Sequence, residues 1–445
     1  MQETDTGATA PRPLAFPGYA IALLFVIYTL NFLDRQIINI LAEPIKHDLG
    51  LADWQLGAMT GLAFALFYTT LGLPIARLAD RHHRGKIIAI SLLIWSGFTA
   101  LCGLAGNFVQ LLLFRIGVGM GEAGCSPAAQ SLISDIAAKE QRARALSLYA
   151  MGIPIGSLLG MVIGGVAVDI WGWRHALMFV GAPGVLVAVL ALFTLRDPRA
   201  DKRASDARTA TAPGADEVPT LREAARELAS KPSFWWISVG TALTSFVGYG
   251  HQTFFASFFL RNHKAELAAF ADALGLGVTG LLGIALGLVL GVGGSLGTYI
   301  GGIATDRFIR RGPEVYAYVP AIGAALAIPF FIVAFLLPSG LWAMLLLFVP
   351  TIFKNMWYGP VFSSIQSVVH QRSRATATAV FLFILNALGL GLGPISIGFV
   401  SDLLSKSLGE AEGLRWAMIT LTLFSLLAVA CFWQARKSIA RDQVQ

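Results

Sequence analysis

Five charged side chains stand in stretches that are otherwise apolar: Asp34 and Arg35 in one, Arg115 and Glu122 in another, Lys354 in a third. An ionisable group at the centre of a bilayer costs at least about 2.5–3.5 kcal/mol on insertion scales, so such residues mark sites that bind, pair or move charge. Arg115 and Glu122 are seven residues apart, about two helical turns, and share one helix face. Asp34 and Arg35 are adjacent, point about 100° apart and cannot both address one partner. Counted from the cytoplasmic end of their spans, Asp34 and Glu122 come out at similar depth. Two carboxylates and at least one arginine around a water-accessible cavity can couple to protons. A low dielectric favours a neutral carboxyl and a nearby guanidinium an ionised one, so a rearrangement that changes either balance moves a proton. The competing reading is an ion pair that only locks helices together. Lys354, beside Asn355, Trp357 and Tyr358, either binds an anionic head group or lines a polar cavity. Thr244, Tyr249, His251, Gln252, Phe254 and Phe255 are expected to line the same cavity, with His251 more simply read as structurally satisfied than as a proton relay.

The elements that hold these residues must be membrane helices. Of 445 residues, 56% are hydrophobic and 13% charged, with mean hydropathy +0.67. Soluble domains carry about 25% charged residues, so this chain cannot assemble a water-exposed surface. Each bilayer crossing takes about 20 apolar residues. Such runs occur at 18–43, 54–78, 87–106, 108–136, 143–168, 175–195, 233–260, 273–304, 315–338, 340–369, 375–403 and 414–434. They predict an all-α membrane protein of twelve transmembrane helices and leave no room for a soluble domain. Cys102, Cys125 and Cys431 have no CxxC spacing, so no metal site, disulfide framework or cofactor is expected.

The pI of about 9.4 reflects topology rather than a nucleic-acid surface. With both termini cytoplasmic, inner segments hold 24 of the 33 Lys and Arg residues and outer segments six. The N-terminus lacks the basic region and small-residue cleavage site of a removable signal peptide. The expected organisation is a cytoplasmic tail at 1–17, a six-helix bundle at 18–195, a cytoplasmic linker at 196–231, a second bundle at 232–436 and a tail at 437–445. Within the linker, Thr220 to Ser230 has the spacing of a short surface helix.

Internal repeats support two equivalent halves. Ala76–Lys86 (ARLADRHHRGK) and Gly302–Arg311 (GIATDRFIRR) both contain Asp-Arg, with Asp80 and Asp306 separated by 226 residues. Gln141–Ala145 (QRARA) matches Gln371–Ala375 (QRSRA) at 230, and Gly165-x-x-x-Asp169 matches Gly398-x-x-x-Asp402 at 233. Trp173-Arg174 echoes Arg415-Trp416. Paired halves with a midplane site are an arrangement of secondary transporters. The duplicated Asp80-Arg81 and Asp306-Arg307 clusters, with Arg84, Arg142 and Arg144 near them, read as a cytoplasmic gate between halves rather than as ordinary stop-transfer charge. Gly119–Gly124 matches GxGxxG and Gly293–Gly297 matches GxSxG. Neither has the strand–turn–helix setting a nucleotide site or nucleophile elbow needs, and both read as helix-packing faces. No enzyme chemistry is indicated.

The two Asp-Arg loops, Arg115-x-x-x-Gly119 and Gly152-x-Pro154-x-Gly156 together resemble the major facilitator superfamily over the whole chain. Asn31-Phe32-Leu33-Asp34-Arg35, Arg115–Ala128 (RIGVGMGEAGCSPA), the QRARA segment and Ile153–Ser157 (IPIGS) resemble a bacterial member of its spinster family. Ala76 departs from the glycine that usually opens the superfamily loop, and organic anion symporters carry a similar Asp-Arg. The resemblance implies two six-helix bundles and alternating access. It implies proton-linked movement of lysolipid- or sphingolipid-like amphiphiles, or of drug-like ones, across the bacterial inner membrane by a monomer. The alternative is an organic anion/proton symporter. It also implies that Asp34, Arg35, Arg115 and Glu122 belong to the central site.

Overall fold

A computed structural model describes residues 17–138, 141–198, 226–370 and 373–444. The linker at 199–225, Lys139 and Arg372 lie outside the described residues, as do the side chains of Asp80 and Arg81. The described residues are helical apart from turns, with no strand among them. The first span is Pro17–Leu49. The second runs through Asp53–Gly57, a wide turn at Ala58–Leu62 and Ala63–Arg81. The third is Arg84–Cys102, and the fourth joins Phe108–Glu122 to Cys125–Ile136. Arg142–Ala150 leads into Gly152–Thr194, which holds the fifth and sixth spans. The seventh is Pro232–Asn262, and the eighth passes from Val278–Leu288 into Gly294–Phe308. Val315–Leu336, Gly340 to Ser367, Arg374 to Leu408 and Glu410 to Asp442 complete the twelve. Each apolar run expected from the sequence lies on one of these spans. Of the expected surface helix, residues 226–229 are helical, and Glu227 ties them to the turn before span eleven through Ser373 Oγ at 2.6 Å.

Glycine makes two of the reversals. Gly172 (φ 75°, ψ 167°) turns span five into span six, and Gly409 (φ 82°, ψ 164°) turns span eleven into span twelve. Both occupy backbone conformations open to glycine and strained for side chains with a Cβ. Large apolar side chains such as Leu186, Phe193, Trp342 and Phe399 are exposed, the disposition a helix takes against acyl chains.

Packing of the core shows how the two six-helix bundles meet. One buried cluster lies within the first half, with Leu24, Ile88, Trp95, Ile133 and Ala188. Another lies within the second, with Phe234, Ile365, Phe381 and Phe432. A third is continuous across both, joining Leu41, Ile45, Leu51 and Met161 to Phe255, Phe259, Leu282, Leu286 and Ala417. Among the described residues the continuous core of the two halves lies at the end carrying the turns after spans one, five, seven and eleven, and Leu390 of the second half also packs against the first-half cluster. This is the end that the basic-residue bias places outside. At the opposite end, among the described residues, each half has a buried cluster of its own.

Arg84 lies at that end. It is buried at the start of span three and donates to Asp197 Oδ1 at 2.5 Å, Asp135 Oδ2 at 2.7 Å and Ser131 Oγ at 3.0 Å. It thus binds spans three, four and six of one half and does not reach the other. Arg84→Ala removes the cation between two carboxylates and is expected to cost about 3 kcal/mol. Thermal unfolding in detergent checks it: a lower Tm for Arg84→Ala and a smaller drop for Arg84→Lys are expected.

Candidate functional site

Span one brings Asn31, Phe32, Asp34, Arg35, Gln36 and Asn39 to the midplane. Phe32, Arg35, Gln36 and Asn39 recur at the spacing of one helix face and line a cavity of about 460 Å³ with Thr60, Phe64, Arg115, Tyr249, Gln252, Thr253 and Leu390. Arg35 Nε donates to Glu122 Oε2 at 2.5 Å, and Glu122 is fully buried. The guanidinium also lies over three rings, with centroids 5.1 Å away at Phe32, 4.8 Å at Phe64 and 4.5 Å at Tyr68. Arg115 reaches the Phe64 ring at 5.8 Å, so one phenyl ring meets two cations. Asp34 points elsewhere, accepting from Thr99 Oγ1 at 3.3 Å on span three. Adjacent residues on one helix thus address different partners. Several buried polar atoms have no hydrogen-bond partner: Glu122 Oε1, Arg115 Nε and both side-chain atoms of Asn31. Such atoms carry a desolvation cost until a proton, water or ligand meets them.

A second cavity of about 350 Å³ adjoins the first through Tyr249 and Gln252. Thr244, Ser245, Gly248, Lys354, Asn355, Trp357 and Tyr358 complete its lining, so it is built from spans seven and ten. The short run Asn355–Trp357 tightens the helix here and Trp357 stacks on Tyr358 at 3.9 Å between centroids. Among the described residues no carboxylate pairs with Lys354. Gln252 Nε2 donates to Gln36 Oε1 at 2.5 Å and stitches the halves together where the cavities meet.

Other candidates take different places. His251 points away from the cavity: its Nε2 lies 3.0 Å from the Met418 carbonyl and 3.1 Å from Thr422 Oγ1, with Phe331 and Phe335 against the ring. Phe254 and Phe255 are buried in the shared core instead of lining the site. Asp306, Arg307, Arg142 and Arg144 are exposed, and among the described residues none forms an ion pair. Gln36, Asn39, Thr60, Phe64 and Ser245 join the site without having been singled out from sequence. For Gln36 and Asn39 the signal was present, since they follow Phe32 and Arg35 at helical intervals in an apolar run.

The chain matches the family model of the Major Facilitator Superfamily over residues 24–394. It is 31% identical to an MFS-type efflux pump of Mycolicibacterium smegmatis, over 96% of this chain and 94% of that protein. It is 28% identical to protein spinster homolog 1 of Bos taurus, over 96% of this chain and 81% of that one. A crystal structure of a bacterial homologue of the human lysosomal transporter spinster, inward-facing and unoccupied, superposes with TM-score 0.83 at 33% identity, covering 97% of this chain and 99% of the other. With the twelve-span fold and the charged midplane site, these likenesses make this multi-pass membrane protein a transporter of the Major Facilitator Superfamily, of the spinster type.

Proposed function

We propose that the protein couples protons to the movement of an anionic amphiphile across the bacterial inner membrane, with both termini cytoplasmic. The observation that carries this reading is the buried Arg35–Glu122 pair, in which Arg35 lines the cavity and Glu122 holds it from behind with one oxygen still unpaired. Arg35 can serve Glu122 or an anionic head group, and charge-assisted contacts of either kind are strong. Protonation of Glu122 releases the guanidinium to the cavity; binding of an anion to the guanidinium in turn loosens the hold on Glu122. Linkage between two ligands that share one group is reciprocal. Asp34, buried one residue before Arg35 on span one, is the second titratable member. Aromatic walls at Phe32, Phe64, Tyr249, Trp357 and Tyr358 suit an apolar tail.

Lys354, which has no carboxylate partner among the described residues, favours the organic anion/proton symporter as the second reading. Tail-length dependence separates the two: an amphiphile transporter loses activity as acyl chains shorten, and an organic anion symporter does not. The bundles at 18–195 and 232–436 rock as units in a monomer, with Asp80, Arg81, Asp306, Arg307, Arg142 and Arg144 closing the cytoplasmic end when the other opens.

In proteoliposomes, Glu122→Gln and Asp34→Asn are expected to abolish the response of uptake to a pH gradient. A response equal to the parent protein's in both variants defeats the coupling assignment. Lys354→Met is expected to raise the concentration of a lysophosphatidic acid probe needed for half-maximal transport about tenfold, the scale of one lost bond to a charged group. An unchanged value removes Lys354 from head-group binding. Asp80→Ala is expected to shift distances between spin labels on the two cytoplasmic ends toward the longer, inward-open population.

A further inference from the structure

The Gly-x-x-x-Asp repeat is explained by neither coupling nor substrate binding. Its two copies end spans five and eleven, in different halves, and each meets a helix start of the opposite half. Asp402 accepts from the backbone N–H of Asp53 at 2.9 Å and of Trp54 at 2.8 Å, at the start of span two. Asp169 accepts from the backbone N–H of Gly280 at 2.6 Å, at the start of span eight. The glycines complete the match. A Cβ on Gly398 would collide with the carbonyl of Asp53, and one on Gly165 with the carbonyl of Thr279. Thr279 follows Asp53 by 226 residues, the same offset that separates Asp306 from Asp80. Both crossings are thus the same contact, built twice.

Neither helix start is capped by the residue that normally does so. Ala52 and Gly277 stand at the N-cap positions of spans two and eight and have no side-chain acceptor to offer the first N–H groups. Those groups are satisfied from across the interface, by a carboxylate at the positive end of the helix dipole.

We propose that Asp169 and Asp402 are a pair of state-dependent helix caps that hold this end of the transporter shut. Each carboxylate finishes the opposite half's helix only while the halves touch, and each glycine, one turn earlier, lets the backbones approach closely enough for it. Opening this end uncaps both helices at once, which biases the empty protein toward the conformation described here. The Arg261 network reinforces the Asp402 side: Arg261 donates to Glu43 Oε1 at 2.8 Å and to Asp53 Oδ1 at 2.7 Å, and Ser401 Oγ donates to Asp53 Oδ2 at 2.6 Å. Around Thr279 the described residues show no such network, so Asp169 acts there without that support.

The test measures distances across this end in the full-length protein with Cys102, Cys125 and Cys431 replaced by alanine. One label pair is Trp171→Cys with Leu274→Cys, the other Val109→Cys with Leu408→Cys; all four positions are exposed. Without substrate or gradient, Asp169→Ala and Asp402→Ala are each expected to raise the long-distance population, by about two- to thirtyfold for the loss of one cap. Asp169→Asn and Asp402→Asn, whose amide oxygen still caps, are expected to stay near the parent distribution. Ala52→Ser removes no native group and gives span two a cap of its own. It lets span two leave Asp402 without an uncapped start, and is expected to lengthen the Val109–Leu408 distance as well. Parent-like distances in the two alanine variants overturn the proposal. So do asparagine variants that open as far as alanine, or a folded Ala52→Ser that does not move. Because no proton gradient is applied, failure of the coupling reading leaves this measurement unaffected.

Discussion

The ion pair between Arg35 and Glu122 constrains everything around it. A fully buried carboxylate that stays ionised needs a cation beside it, and a guanidinium at the midplane needs an anion or a π-face. Satisfying both at once fixes the rotation of span one against span four, sets Phe64 between two arginines and turns Asp34 toward span three. The cavity is the space left when those requirements are met. Its walls are aromatic because a cation over ring faces is tolerated where one against aliphatic carbon is not.

The pair also ties spans one and four together inside the first half. Its charges are resolved inside one half, as are those of Arg84 with Asp135 and Asp197, so neither set spans the interface between the halves. The polar contacts that cross between the halves include those of Arg261, Asp53, Glu43, Asp169 and Asp402 at the shared end and that of Gln252 with Gln36 where the cavities meet.

Much of the fold was legible in the sequence because a bilayer imposes a blunt requirement, about twenty apolar residues per crossing, that leaves long runs with few alternatives. The twelve spans and the twofold repeat follow from that and from simple offsets. The pairing of charges was not legible. One residue of helix rotation, about 100°, decides whether Asp34 or Arg35 meets Glu122, and hydropathy is blind to rotation. Arg84 looked like a gate because it stands in a loop cluster; its partner Asp197 is 113 residues away and only the packing of span six against span three brings it near. His251 failed to reach the cavity for a related reason: on span seven Gln252 takes the inward face and its neighbour is turned toward span twelve. The repeated Gly-x-x-x-Asp was visible as a pattern, while its meaning required seeing which helix each copy touches.

The duplication has left the two halves chemically unequal. The acids and arginines of the midplane all come from spans one and four, in the first half, whereas Lys354 and most of the lining around it come from spans seven and ten, in the second. The titratable acids of the site thus belong to one half and Lys354 to the other. On the proposed coupling, a lineage of such proteins can explore new solutes through changes around Lys354, in the half that holds neither Asp34 nor Glu122.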